Sequence, residues 1–348
     1  MTINIQIRSF VKGGNHGQYL QALGLKVLLE KLLPDAQVTH LNYENHYWKE
    51  LESQIRGGML PKFLSMRYFW RKNMKFSSLS DVSDITIYGS DMIWHLESDL
   101  FPIDKMLFGA EDRSIYKIAY APSVGARGTN EPKWIKPLLD SFAGIGVRDS
   151  NTLNLVNDHT TQEVKLVIDP CFHLLQSRYS DWFDDQRREN FISIYSPLHS
   201  RLVNAFHNKL ELEPLPDFIT EINYLGYFPR KRFLQELSKQ FSDPLWTVQK
   251  IARSKLLITS TFHGVMMALM TKTPFIAITS PNLTARLDSP ISNVFSKKRI
   301  MTFDEIKELD NTGLEYLLEN NDFDMDCLQE YIDESKGWLK SMLKVCLP

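Results

Sequence analysis

The chain has 348 residues, of which 43% are hydrophobic and 24% charged, and its formal net charge is -2. That length exceeds what one hydrophobic core serves, and the composition excludes disordered, collagen-like and disulfide-rich classes, so two domains are expected. A net charge near zero removes the global electrostatic case for nucleic acid. The longest apolar stretches, Lys255 to Ser260 and Pro274 to Ile278, fall far short of the roughly 20 residues a membrane span needs. Cys171, Cys327 and Cys346 are odd in number and lack CxxC spacing, which points to reduced thiols and away from a zinc site. Residues Met1 to Arg8 alternate like a strand, with no basic region followed by an apolar one, so a cytoplasmic location is expected.

Ile3 to Ile7 reads as a strand, and the glycine-rich corner Gly13-Gly14-Asn15-His16-Gly17 leads into a helix predicted from about Tyr19 to Leu33. Gln37 to Tyr43 and Asp84 to Tyr88 are the next strands, the second ending in Gly89-Ser90-Asp91. Ile115 to Tyr120, Gly144 to Val147 and Val164 to Ile168 follow. Strands alternating with helical segments imply a mostly parallel sheet covered on both faces. The polar stretch Ser180 to Asn190 marks a boundary, after which Phe191 to Tyr195, Lys255 to Thr259 and Pro274 to Thr279 form a second set. The tail from about Leu309 to Val345 is helical in pattern. The expected division is residues 1–183, 184–308 and 309–348, with the tail crossing back onto the first domain.

In open α/β sheets the ligand lies beyond the carboxyl ends of the strands. Within Lys255 to Met270, that rule selects Ser260, Thr261, His263 and Gly264, where a helix expected to begin at Gly264 would offer backbone N–H groups to an anion and His263 would stand beside it. A histidine that merely caps the turn is the plain alternative. Arg148, at the end of Gly144 to Val147, suits two-pronged recognition of a carboxylate or phosphate; alternatively it pairs with Asp149 or Asp169. Asp91 reads as a helix cap unless other signals join it. The Gly13 to Gly17 corner is neither a GxGxxG fingerprint nor a P-loop.

Taken in order, these corners resemble the polysaccharide pyruvyl transferase family. The similar stretches are Asn15-His-Gly-Gln-Tyr-Leu-Gln21-Ala-Leu, Tyr88-Gly-Ser-Asp91-Met-Ile-Trp94, Tyr120-Ala-Pro-Ser-Val-Gly125, Gly146-Val-Arg148-Asp-Ser and Val167-Ile-Asp169-Pro170. Trp246 to Ala252, Ile258-Thr-Ser-Thr-Phe-His263-Gly264 and Lys272-Thr-Pro-Phe-Ile continue the match, which spans roughly residues 3–280. The resemblance implies an α/β fold of two facing Rossmann-like domains, GT-B-like, with the active site between them. It also implies phosphoenolpyruvate as donor, a saccharide acceptor that is polysaccharide-bound or lipid-linked, and no cofactor or metal. Arg148 and His263 match donor-holding, catalytic positions, with Ser260, Thr261 and Gly264 beside the donor. Asn15, His16, Gly17, Gln21, Ser90 and Asp91 fall on the acceptor side. Two positions depart: Gln18 stands where relatives often carry an acid, and Arg286 matches a family arginine only loosely. A glycosyltransferase using a nucleotide sugar, and a silent saccharide-binding relative, are the competing readings.

From Gln54 to Lys75 there is no acidic residue, while Arg56, Lys62, Arg67, Arg71, Lys72 and Lys75 alternate with large apolar side chains. Such a composition suits a helix lying in an anionic membrane interface, giving peripheral contact at the inner face of a membrane. It equally suits a helix from near Lys62 whose Phe63, Met66, Phe69 and Trp70 pack on the sheet while its cations stay in water.

Overall fold

The computed structural model describes residues 2–44, 47–56, 59–96, 103–126, 131–184, 187–197, 221–225, 244–319 and 322–347. In the first half, seven strands run as β1 (Asn4–Arg8), β2 (Gln37–Leu41), β3 (Phe76–Ser77), β4 (Ile85–Tyr88), β5 (Tyr116–Tyr120), β6 (Gly144–Val147) and β7 (Val164–Leu166). They form one parallel sheet in the order β3-β2-β1-β4-β5-β6-β7. Strands β4 and β6 are buried along their whole length, as a parallel sheet covered on both faces requires. In the second half, β8 (Glu189–Tyr195), β9 (Glu221–Tyr224), β10 (Ser254–Thr259), β11 (Phe275–Ile278) and β12 (Ile300–Met301) form a parallel sheet ordered β12-β11-β10-β8-β9. Both sheets are Rossmann-like: strand order reverses between β1 and β4 in one and between β8 and β10 in the other. Crevices at such reversals are where open sheets bind ligands. Strands β3, β9 and β12 were not among the expected strands, being short or flanked by polar sequence.

Two helices begin earlier than expected, for the same reason. The first runs His16–Leu32, three residues ahead of Tyr19, because the Asn15 side chain accepts from Gly17 N at 2.9 Å and caps it. The second runs Phe262–Met270, capped by Thr261, whose hydroxyl accepts from Gly264 N at 3.1 Å. His263 therefore sits inside a first helical turn and not on a corner before it.

The helix His16–Leu32 has to lie very close to the turn that follows β7. A Cβ on Gly24 would stand 2.0 Å from the Pro170 carbonyl oxygen, so only glycine permits this approach. The last helix, Met325–Cys346, buries Leu328, Ile332, Ser335, Leu339, Leu343 and Cys346, spaced by three or four residues along one stripe. Leu328 and Ile332 join the apolar cluster that contains Leu257, Phe275 and Val294 of the second half. Leu339, Leu343 and Cys346 join the cluster of Ile5, Ile87 and Ile118 under the first sheet. Ser335 Oγ accepts from Ile168 N at 2.8 Å, and Trp338 lies where a Cβ on Gly146 would be, 2.7 Å away. The tail thus crosses back to the first half and ties both halves to one rigid element.

Leu339 is fully buried on that stripe. Leu339→Ala is expected to lower unfolding stability by about 2–5 kcal/mol, read as a drop in the urea midpoint. An unchanged midpoint would mean that the crossing helix does not hold the first half.

Candidate active site

The chain reversal after β6 and the one after β7 bring Arg148 and Asp169 together. Asp149 turns away from Arg148 and caps the helix Ser150–His159, accepting from Thr152 N at 2.9 Å and Thr152 Oγ1 at 2.6 Å. Asp169 caps the turn Pro170–Gln176 with Oδ1 and accepts from Arg148 Nη1 with Oδ2 at 2.7 Å. Both side chains are at most 2% exposed. Burial alone raises the Asp169 carboxyl, but Arg148 and His263 beside it bring it below its usual range.

Arg148 Nη1 is 3.5 Å from Gln21 Oε1, and the same oxygen lies 3.1 Å from His263 Nε2. His263 Nε2 is also 3.9 Å from Asp169 Oδ2. Arg148, Asp169 and Gln21 of the first half therefore meet His263 of the second in one buried polar cluster. Gly17 makes the meeting possible, since a Cβ there would lie 2.1 Å from His263 Cγ. Tyr195, at the end of β8, adds a hydroxyl that donates to Asn15 Oδ1 at 3.3 Å. His263 is 5% exposed, because the first turn of helix His16–Leu32 closes over its ring. Burial lowers its pKa from 6.5 to about 4; Asp169 and Asp91 raise it, and Arg286 and Arg148 lower it. The imidazole is neutral at neutral pH.

Arg286, in the helix Pro281–Leu287, is the residue the sequence left in the background. Its guanidinium carbon lies 4.7 Å from the centroid of the Phe262 ring, and that of Arg148 lies 4.4 Å from the same centroid. Burial, then the neighbouring Arg148, lower the Arg286 pKa to about 10, so it keeps its charge. Arg148 Nε and Nη2 and Arg286 Nε are buried without a hydrogen-bond partner, as is Gln21 Nε2. Two cations converge on one ring with donors to spare, an arrangement that suits an anion with more than one charged group. The available signal was weaker than for Arg148, which directly follows β6, since Arg286 lies within the helix that follows the carboxyl end of β11.

Asp91 reaches this cluster from the end of β4. Its backbone takes a φ of 84°, its Oδ1 accepts from Met92 N at 2.8 Å, and its side chain is half-buried. Its charge is felt at both His263 and Arg286. Ser90 is buried beside it with an unpartnered Oγ, and its carbonyl accepts from Ser9 Oγ at 2.7 Å. His16 faces elsewhere: its ring stacks with Tyr195 at 6.3 Å, both nitrogens lack partners, and burial with Lys62 nearby holds its pKa well below 6.5. Ser260 Oγ pairs with Ser196 Oγ at 2.6 Å. The expected anion contact at Gly264 N is corrected, since that N–H already donates to Thr261 Oγ1.

The sequence model of the family described as polysaccharide pyruvyl transferase matches residues 15–282, a stretch containing every residue just placed in the cluster except Arg286. The chain belongs to the polysaccharide pyruvyl transferase family. Family members are transferases, and this one presents its strand-ending corners from two facing Rossmann-like halves. No curated protein is similar enough in sequence to count as a relative. Among solved structures, the Methanocaldococcus jannaschii UDP-GlcNAc 2-epimerase in complex with UDP-GlcNAc and UDP is similar at 12% identity and a TM-score of 0.47, over 92% of this chain and 93% of that one. The Neisseria meningitidis UDP-GlcNAc 2-epimerase bound to UDP-GlcNAc is similar at 10% identity and 0.49, over 99% of this chain and 100% of that one. Medicago truncatula UGT71G1 complexed with UDP-glucose is similar at 10% and 0.47, over 99% and 98%. No substrate carries over from them.

The neutral His263 of this transferase has a consequence for stability. Above pH 6.5 it is unprotonated in folded and unfolded chains alike. Below 6.5 the unfolded chain binds a proton that the folded one refuses until about pH 4, so stability falls across that window. His40 and His173, lowered to about 3 by burial, act in the same direction. The urea midpoint is expected to drop steadily from pH 6.5 to 4, with His263 accounting for roughly 2 kcal/mol at pH 5, and His263→Gln is expected to show a shallower slope. A flat midpoint would mean these rings are charged in the folded protein.

Proposed function

We propose that the protein transfers the pyruvyl group of phosphoenolpyruvate to two hydroxyls of one saccharide, forming a ketal. The observation that carries this reading is the pair Arg148 and Arg286 on Phe262, with Arg148 Nε and Nη2 and Arg286 Nε buried and unpartnered. Phosphoenolpyruvate offers a carboxylate and a phosphate, the two anionic groups such a pair accommodates. The acceptor is a sugar of a polysaccharide or of a lipid-linked glycan.

In the reaction, C3 of the enol takes a proton and becomes a methyl group, while an acceptor oxygen bonds to C2. The bond from C2 to the phosphate oxygen then breaks, phosphate leaves with the electron pair, and the second hydroxyl bonds to C2 as it loses its proton. His263 supplies the proton to C3. It is neutral while the pocket is empty, and an anionic donor held between the arginines favours its charged form, so binding loads the acid. Gln21 Oε1 fixes the proton-bearing Nε2. Three carboxylates surround the cluster. Asp169 is held by Arg148 and Asp149 is a buried cap, which leaves half-buried Asp91 to receive the acceptor protons.

The test is acceptor-dependent phosphate release from phosphoenolpyruvate over a panel of saccharides. Arg148→Lys is expected to lose roughly 10²–10³ in turnover, since a single ammonium lacks the planar fork that reaches Asp169 with Nη1 while Nε and Nη2 remain for the donor. His263→Gln, which keeps the contact with Gln21, is expected to bind phosphoenolpyruvate in calorimetry yet lose roughly 10²–10⁴ in turnover. Turnover near wild type in either variant, or release of nucleoside diphosphate from nucleotide sugars in place of phosphate release, overturns the reading.

A further inference from the structure

We infer that the paired helices Tyr47–Arg56 and Leu60–Asn73 form a docking face for an anionic lipid bilayer. The second helix has two apolar faces. Phe63, Met66, Phe69 and Trp70 are buried in the first half, as the packing alternative required. Lys62 goes with them, buried and lowered to about 7 by its burial, so it is not the solvent cation the sequence pattern implied. Arg67 is likewise engaged, pairing with Glu44 at 2.5 Å.

The opposite face tells otherwise. Leu64 and Tyr68, four residues apart, are 52% and 59% exposed, and Arg71 and Lys72 continue the same stripe in solvent. On the neighbouring helix Trp48 and Ile55, seven apart, are 77% and 55% exposed. Four of the ten large apolar side chains exposed among the described residues thus lie on two adjoining helices. Lys49, Arg56, Arg71, Lys72 and Lys75 are exposed around them, against Glu52 as the exposed acid between residues 47 and 75, and Glu52 is paired with Arg56. An outward Trp, Tyr, Leu and Ile set within a ring of cations complements the charged and apolar layers of an anionic membrane surface. No helix among the described residues is long and apolar enough to cross a membrane, so contact would be peripheral.

The face is coupled to the catalytic end of the fold. Glu50 accepts from Gly14 N at 3.1 Å, and Trp70 Nε1 donates to the Gly13 carbonyl at 3.2 Å. The helices therefore hold the loop that precedes Asn15, and docking would bring the acceptor side of the cluster to the bilayer. This inference stands independently of the donor, and supports a lipid-linked acceptor where the donor reading holds.

The full chain is to be sedimented with phosphatidylcholine vesicles with and without phosphatidylglycerol. Binding is expected only to the anionic vesicles and is expected to weaken with salt. Arg71→Gln with Lys72→Gln is expected to weaken partitioning roughly 30-fold, and Leu64→Ser with Tyr68→Ser is expected to abolish it, while Tyr316→Ser on the other half leaves it unchanged. These side chains are exposed, so urea midpoints should match wild type. Equal partitioning of wild type and both variants, or no binding by wild type, overturns the inference. So does a dimer in light scattering that Leu64→Ser with Tyr68→Ser dissociates, which assigns the face to a second copy of this chain. Phosphate release with soluble acceptors is unaffected by these variants, so failure here is separable from failure of the catalytic reading.

Discussion

A guanidinium taken out of water must be paired, and Arg148 is paired on one side only. Asp169 accepts from Nη1 and neutralises the charge, which is what makes a 2% exposed arginine tolerable between two α/β halves. The other nitrogens, Nε and Nη2, face no protein acceptor. Around this half-satisfied ion pair the remaining groups find their places. Gln21 lends one oxygen to both Arg148 and His263, Phe262 receives two guanidinium groups, and the like charge of Arg286 is held close. The contacts draw on elements of both halves, so the cluster exists only when both sheets are assembled.

Backbone proximity sustains that assembly. Gly17 lets the start of one helix close on the His263 ring, and Gly24 lets the middle of the same helix lie against Pro170 beside Asp169. The helix is thereby clamped to both sides of the cluster, and Gln21 lies between the two clamping points. The last helix, Met325–Cys346, acts on a larger scale, with one end packed in the second half and the other under the first sheet. Side chains in such a setting are preorganised, which is what charge stabilisation in a transition state demands.

The helix Leu60–Asn73 shows how one segment serves two environments. Large apolar side chains, Leu60, Phe63, Leu64, Met66, Tyr68, Phe69 and Trp70, stand on more than one of its faces, so periodicity alone cannot choose which face goes inward. The sheet takes Phe63, Met66, Phe69 and Trp70 and leaves Leu64 and Tyr68 outside. Lys62 and Arg67, counted as solvent cations from composition, are drawn inward by burial and by Glu44 respectively.

The sequence by itself determined the fold class, the order of the principal strands, the crossing tail and the family, because strand-ending corners such as Gly89 to Asp91 and Gly146 to Ser150 are local in sequence. It also singled out Arg148, His263, Gln21 and Asp91, which lie on corners and helix starts that follow strands, and the fold brings these side chains to one cluster. Helix starts were misplaced by two or three residues because Asn15 and Thr261 act as caps through their side chains, a choice that polar turn residues leave open. Tertiary structure alone decided that Asp169 and not Asp149 pairs with Arg148, that His263 is buried and neutral, and that Arg286 shares Phe262 with Arg148. Those outcomes depend on distances between residues far apart in the chain and on exclusion of water. Neither is written in the spacing of residues along a single strand or helix.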